Sequence, residues 1–214
     1  MKPADLPSLQ PRKTPHQARS TATVGIIFEA TIQVLLADGP NKLTTTRVAE
    51  RAGVSVGTLY QYFPHKQALL YAVLQHHLSA VATAVEAACA VAHGRELEQM
   101  AQGLVTAFVK AKTAHPDASR AMYKVAAELE TQDLLRDIGQ RMLDAVTTML
   151  ASAPDARIDD LPAVTLTLMS ALAGTTRAVF ERGATPRLLR GLRAQTLILC
   201  CAYLRAVALT PASA

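Results

Sequence analysis

Residues 52–66, Ala-Gly-Val-Ser-Val-Gly-Thr-Leu-Tyr-Gln-Tyr-Phe-Pro-His-Lys, constrain this chain more than any other stretch. Gly53, Ser55 and Gly57 are poor helix-interior residues, yet they stand between two runs with helical spacing. Before them, Thr44 can cap a short helix that places Val48 and Ala52 on one buried face, and Gly53 can end it because a left-handed backbone costs little without a side chain. After them, Ser55 can cap a segment of about two turns, in which Leu59 and Phe63 are four apart and face inward. Val54 tucks the intervening turn against the core. Two short helices joined this way are a helix-turn-helix, whose second helix can present its N-terminal residues to base edges in the major groove of DNA. Gly57 leaves the first turn of that helix without bulk, so its backbone can come close to another surface.

The side chains around the turn suit that task. Thr58 carries a hydroxyl for a base edge and a methyl for thymine, and Gln61 can pair with adenine through two hydrogen bonds. The hydroxyls of Tyr60 and Tyr62 suit phosphates, with packing between helices as their alternative use. Lys66, at the start of a fourth helix, adds positive charge where backbone N–H groups and the helix dipole already attract an anion. Charge agrees: residues 1–66 hold eight Lys/Arg against four Asp/Glu, whereas the remainder holds fourteen against thirteen. A basic excess confined to the N-terminal third points to a polyanion partner for that third.

Half of the residues are apolar, few are aromatic and none is Trp, and Ala, Leu and Val dominate, so the expectation is an all-α protein. No run reads as a strand. Residues 1–20 hold four prolines and no apolar core of a signal peptide, and residues 1–14 are expected to form a flexible basic arm. Cys89, Cys200 and Cys201 make an odd count, which argues against a disulfide framework and fits a reducing cytoplasm. The apolar run at 196–209 is short and interrupted by Arg205, so a membrane span is not expected there.

Periodicity predicts a first helix over 15–37, capped by Thr14 and stopped by Asp38-Gly39-Pro40, then the two short helices. Pro64 suits the first turn of the fourth helix, which runs to about Ala92 and links two domains. Leu97, Met100, Leu104 and Phe108, then Met122, Val125 and Leu129, then Leu135, Ile138, Met142 and Met149 mark further helices. Asp137 and Arg141, four apart, read as a solvated pair. The last two helices are expected over 161–182 and 186–209. In the final one, Leu189, Leu192, Thr196, Leu199 and Tyr203 form one stripe and Leu197, Cys201, Leu204 and Ala208 a second, so it needs two packing partners. Ser170, Gly174 and Ala178, four apart in the helix before it, allow close approach of another backbone. These two helices are therefore read as a dimer interface, with an internal helix pair of a monomer as the alternative.

At this point the sequence TTTRVAERAGVSVGTLYQYFPHKQALL resembles the DNA-binding domain of the tetracycline-repressor (TetR) family. That pattern runs T-hydrophobic-A-x-x-A-G-V-S-x-G-T-hydrophobic-Y-x-Y-F-x-x-K-x-x-L, and Val48, Ala49, Ala52, Gly53, Val54, Ser55, Gly57, Thr58, Leu59, Tyr60, Tyr62, Phe63, Lys66 and Leu69 fill it. The resemblance covers residues 17–70. It implies an all-helical dimeric transcription regulator, with a helix-turn-helix domain at 15–66 and a ligand-binding and dimerisation domain at 67–214. It further implies a repressor that binds a palindromic operator and leaves it when a small hydrophobic ligand is bound. By family position, Thr46, Arg47, Val56, Gly57, Thr58 and Gln61 would lie nearest bases, with Tyr60, Tyr62 and Lys66 nearest phosphates. Val56 departs from the polar or basic residue many members carry, which shifts base reading toward Thr58, Gln61 and Arg47.

For the ligand, Met100, Phe108, Met122, Tyr123, Met142 and Met169 are candidate walls, and His77, Glu128 and Arg177 candidate polar contacts. An enzyme is not expected, since the chain has no nucleophile elbow, phosphate-binding loop, dinucleotide fingerprint or zinc-protease pair. Glu96/Glu98 and Glu128/Glu130 are two apart and diverge on helices. No cofactor or metal is implied. A helical protein-interaction module without specific DNA binding is the alternative function.

Overall fold

The computed structural model describes residues 18–209, so the basic arm and the Thr14 cap lie outside the described residues. Among these, nine helices are seen: α1 Ala18–Lys42, α2 Thr45–Ala52, α3 Val56–Tyr62, α4 Lys66–Ala92, α5 Leu97–Thr113, α6 Pro116–Glu128, α7 Gln132–Ala151, α8 Leu161–Glu181 and α9 Pro186–Val207. The one β contact in this set is an isolated antiparallel bridge between Arg157 and Leu209. The chain divides into two compact units. One runs as far as His77 and takes in Ala121–Thr131; the other holds Leu78–Arg120 and the chain from Gln132 on.

In the first unit, the Thr44 side chain accepts a hydrogen bond from the Arg47 N–H at 3.3 Å and so caps α2. Gly53 closes that helix in the left-handed conformation at φ 66°. Ser55 Oγ accepts from the Thr58 N–H at 2.9 Å and caps α3. Each cap satisfies a backbone donor that a helix end leaves open. Val48, Ala49 and Leu59 are fully buried, and Phe63 packs against Phe28 with ring centroids 5.8 Å apart. Two details differ from the sequence expectation. Helix α1 does not stop at 37; it is interrupted at Gly39, φ 76°, and resumes through Pro40 to Lys42. Pro64 lies before α4 rather than in its first turn, and His65 caps that helix, its Nδ1 accepting from the Ala68 N–H at 3.1 Å.

The second unit surrounds a core of Val85, Met100, Leu104, Phe108, Val146, Met149, Leu168 and Leu172, among others, contributed by the later part of α4 and by α5, α7, α8 and α9. Asp160 caps α8 and Thr185 caps α9, each through its own side chain. Helix α5 is different: Glu96 makes no side-chain cap, and Asp155 Oδ1 instead accepts from the Leu97 N–H at 2.9 Å. Nearby, Gly94 N–H donates to Ser152 Oγ at 2.8 Å. Asp155→Ala should therefore cost about 1 kcal/mol, the usual worth of an N-cap, readable as a lower urea midpoint at unchanged slope.

Two periodicity readings need correction. On α7 the buried residue is Leu134; Leu135 is 45% exposed, because the buried face is set by Leu134, Ile138 and Val146. Arg141 does not pair with Asp137. It makes a bidentate bond to Glu86 on α4 at 2.9 and 2.8 Å, while Asp137 lies near Arg136. The fork of a guanidinium matches a carboxylate on a neighbouring helix better than one on its own surface. The stretches with the length and mean hydropathy of a membrane span are Ser20–Lys42, Lys66–Ala92 and Leu161–Glu181, not the final helix.

Candidate nucleic-acid interface

The helix-turn-helix side chains fall into two groups. Thr46 and Gln61 are exposed, Gly57 is exposed, and Val56 and Thr58 are half-buried on the same short helix or its partner. Thr58 Oγ1 and Ser55 Oγ share a hydrogen bond at 2.8 Å, which fixes the threonine rotamer at the start of α3. A Cβ added at Gly57 would meet only Ser55 Oγ, at an ordinary 3.7 Å. Nothing inside this unit requires glycine there, so the bare backbone is available to an outside surface.

The second group is already engaged within the protein. Tyr60, 41% exposed, shares a hydrogen bond with Thr45 Oγ1 at 3.0 Å, and Tyr62 shares one with Ser20 Oγ at 3.0 Å. Lys66 Nζ donates to the Pro40 carbonyl at 2.6 Å, tying the start of α4 to the break in α1. Arg47 forms an ion pair with Asp38 at 3.1 Å, and Arg51 Nε donates to Gln33 Oε1 at 2.6 Å. The packing use foreseen for the two tyrosines is thus present, and their hydroxyls hold α3 to α2 and to α1. These partners were not legible beforehand. Asp38 reads in sequence as part of a helix stop, and a backbone carbonyl such as that of Pro40 leaves no side-chain signature.

The candidate ligand residues do not form one group. Met100, Phe108 and Met169 are buried in the core of the second unit, with Met142 packed at its edge. Met122 is buried and Tyr123 half-buried in the other unit, where the half-buried His77 also lies. Glu128 is exposed, and Arg177 is exposed and bound along its own helix to Glu181 at 2.7 Å. Neither therefore reaches the apolar interior expected of them, because α6 and α8 bury their other faces. A pocket of about 200 Å³ elsewhere in the second unit is lined by Leu97, Glu98, Asp155, Ala156, Cys201, Leu204, Arg205 and Ala208, none of them a candidate wall.

One buried polar group escaped the sequence reading as a site feature. Lys112 is 8% exposed on α5, and burial pushes its ammonium down from 10.5 to about 8. Its position, four residues after Phe108 on the buried face, was the available signal. Thr196, read from the sequence as part of the interface stripe, has its Oγ1 buried on α9 with no hydrogen-bond partner among the described residues. The three thiols are free and buried, and desolvation raises Cys89 and Cys200 to about 11.

Among the proposed interface residues, Leu192 and Thr196 are buried within the protomer itself, whereas Leu189, Tyr203 and Ala178 are half-buried and Ser170, Gly174 and Leu199 exposed. The solvent face of α8 and α9 also carries Leu166 and Ile198, at 56% and 63% exposure. The five stripe positions lie within about 80° of one another around α9, with exposed Leu199 at the edge of the face that buries Leu192 and Thr196.

Comparison with known proteins agrees with this architecture. Residues 27–73 match the family described as bacterial regulatory proteins, tetR family. Residues 96–204, half of the chain, match the tetracyclin repressor-like C-terminal domain. The HTH-type transcriptional regulator YvkB of Bacillus subtilis, itself uncharacterized, is 40% identical over 53 residues, which are 25% of this chain and 28% of that protein's length. Among solved structures, a Mesorhizobium loti protein assigned to the TetR-family regulators superposes with a TM-score of 0.73 at 16% identity, covering 90% of this chain and all of that one. SmeT, the repressor of the Stenotrophomonas maltophilia multidrug efflux pump SmeDEF, gives 0.66 at 15% identity over 89% of this chain and 94% of its own. The fatty acid degradation regulator FadR of Bacillus halodurans gives 0.64 at 17% over 88% and 96%. These structures share the fold. With its helix-turn-helix at one end and the repressor-like helical domain covering most of the remainder, the chain belongs to the TetR family of transcriptional regulators and is not an enzyme.

Proposed function

We propose that this regulator is a cytoplasmic homodimeric repressor that binds a palindromic operator through residues 15–66 and is released when a small hydrophobic ligand occupies residues 67–214. The observation that carries the DNA reading is the open start of α3, where exposed Gly57 and Gln61 stand beside the Ser55–Thr58 hydrogen bond. Thr46, Arg47, Val56, Thr58 and Gln61 are the base-facing set; Tyr60, Tyr62 and Lys66 are the phosphate-facing set. The internal bonds of the second set hold α3 in place and leave donors such as the other Lys66 protons available to phosphate.

The dimer is proposed through the solvent face of α8 and α9, built from Leu166, Ser170, Gly174, Ile198 and Leu199. Exposed aliphatic residues beside small ones support a two-fold helix pairing. Buried Leu192 and Thr196 are left out of it. For the ligand, Met100, Phe108, Met142 and Met169 remain as walls, since they share the second unit's core. A ligand weakens DNA binding only by favouring a conformation with the wrong spacing of recognition helices, and α4, which contributes to both units, is the lever.

The test is binding of the purified protein to DNA upstream of its own coding region, by electrophoretic shift with unrelated competitor, repeated with a panel of hydrophobic compounds. Specific binding released by one compound supports the proposal. Absence of sequence preference at every moderate salt concentration would overturn it. In the same assay, Gln61→Ala should lose about 1–3 kcal/mol at one base position. Lys66→Ala should weaken all sequences alike and reduce the slope of log affinity on log salt by about 0.9. Equal, sequence-independent losses for both variants would refute these role assignments.

A further inference from the structure

Helix α2 carries two arginines, and α1 treats them differently. Arg51 gives its Nε to the neutral amide oxygen of Gln33 and keeps its full charge. Arg47, in the first turn of α2, is held by the carboxylate of Asp38. Arg47 and Asp38 are walls of the same open groove between α1 and α2. A cation near a helix N-terminus faces the positive end of the dipole, so a carboxylate beside it is favoured locally. The pair is partly solvated, with side chains 51% and 26% exposed, and such pairs contribute at most about 1 kcal/mol. It is strong enough to bias the guanidinium and weak enough for DNA to displace.

We infer that Asp38 is a positioning residue of the DNA interface: its carboxylate holds the Arg47 guanidinium and lowers affinity for DNA, because a complex that uses Arg47 must first break the pair. This rests on the reading of Arg47 as a DNA contact. On unrelated DNA, phosphates alone compete with the carboxylate for Arg47. On the preferred site, Thr46, Thr58 and Gln61 add base contacts that hold α2 and α3 in the groove, but the pair is broken there at the same cost. The acidic residue therefore lowers affinity for both kinds of site by a similar amount, and the ratio between them is left to the base contacts.

The experiment begins with selection of a preferred duplex from random sequence by the wild-type protein. Preferred and unrelated duplexes are then titrated across salt with wild type, Asp38→Asn, Asp38→Glu, Arg47→Gln and the Asp38→Asn/Arg47→Gln double variant. Asp38→Asn should bind both duplexes about two- to fivefold more tightly, with a salt slope steeper by about 0.9, and should leave the ratio between them nearly unchanged. Asp38→Glu should keep wild-type affinities, and Asp38→Asn should have no effect once Arg47 is Gln. Unchanged affinities for Asp38→Asn would overturn the inference, as would an equal gain in the Arg47→Gln background, since Asp38 would then act by charge alone. A wild-type protein that binds no duplex in a salt-dependent way would overturn the DNA reading itself, an outcome distinct from wild-type selection followed by an inert Asp38→Asn.

Discussion

On the proposed dimer, Leu166→Glu combined with Ile198→Glu should leave a monomer in solution, with affinity for the proposed operator falling by more than about 100-fold. Both residues are more than half exposed in the protomer, so the substitutions leave its core intact. In a two-fold interface each introduced carboxylate occurs twice, and an unpaired buried charge costs about 3–5 kcal/mol. Loss of the dimer then removes simultaneous contact with two half-sites. Light scattering during size exclusion reads the mass, and circular dichroism confirms retained helix. A variant that stays dimeric would place the interface on another face.

Lys112→Met should raise stability at pH 7 by up to about 3 kcal/mol, the free-energy equivalent of lowering a lysine from 10.5 to about 8. Below pH 8 the folded and unfolded chains both carry this proton, and the full cost of burying the charge is present. Between pH 8 and 10.5 the unfolded chain binds a proton that the folded chain does not, so raising pH favours folding; above 10.5 the cost is gone. From pH 7 to 9 wild type should gain roughly 1 kcal/mol relative to Lys112→Met. Cys89 and Cys200 act oppositely between pH 9 and 11, because there the folded chain retains protons that the unfolded chain has released. Urea midpoints of both proteins at pH 7, 8 and 9 separate these effects. Parallel pH profiles for the two would show that the lysine is solvated.

The helix-turn-helix was legible because its information is local. Thr44, Gly53 and Ser55 act on backbone groups within four residues of themselves, and the structure has each in the role its chemistry suggests. Element types elsewhere were legible for the same reason, since a helical period survives in the sequence whatever the helix packs against. Of the misses, one was local and the others turned on partners distant in sequence. His65, not Pro64, starts α4, because a ring nitrogen can cap as a hydroxyl does. Arg141 is fifty-five residues from Glu86, and Asp155 fifty-eight from the α5 N–H it caps.

The candidate sites divide along the same line. Exposure of Gly57 and Gln61 follows from the short amphipathic α3, but the ties of Tyr60, Tyr62, Lys66 and Arg47 to α1 and α2 required the packed unit. Arg177 and Glu128 show the converse: helical position alone left two faces open to each, and neighbouring helices chose the outer one. By itself, then, the sequence determined the helical class, the caps and turn of the reading head, and the family. Tertiary structure alone decided which polar groups are held, which face of α8 and α9 stays in solvent, and that Lys112 is enclosed. Caps and periods are set by interactions a few residues long, whereas burial and ion pairing depend on which distant surface arrives, and that is a property of the whole fold.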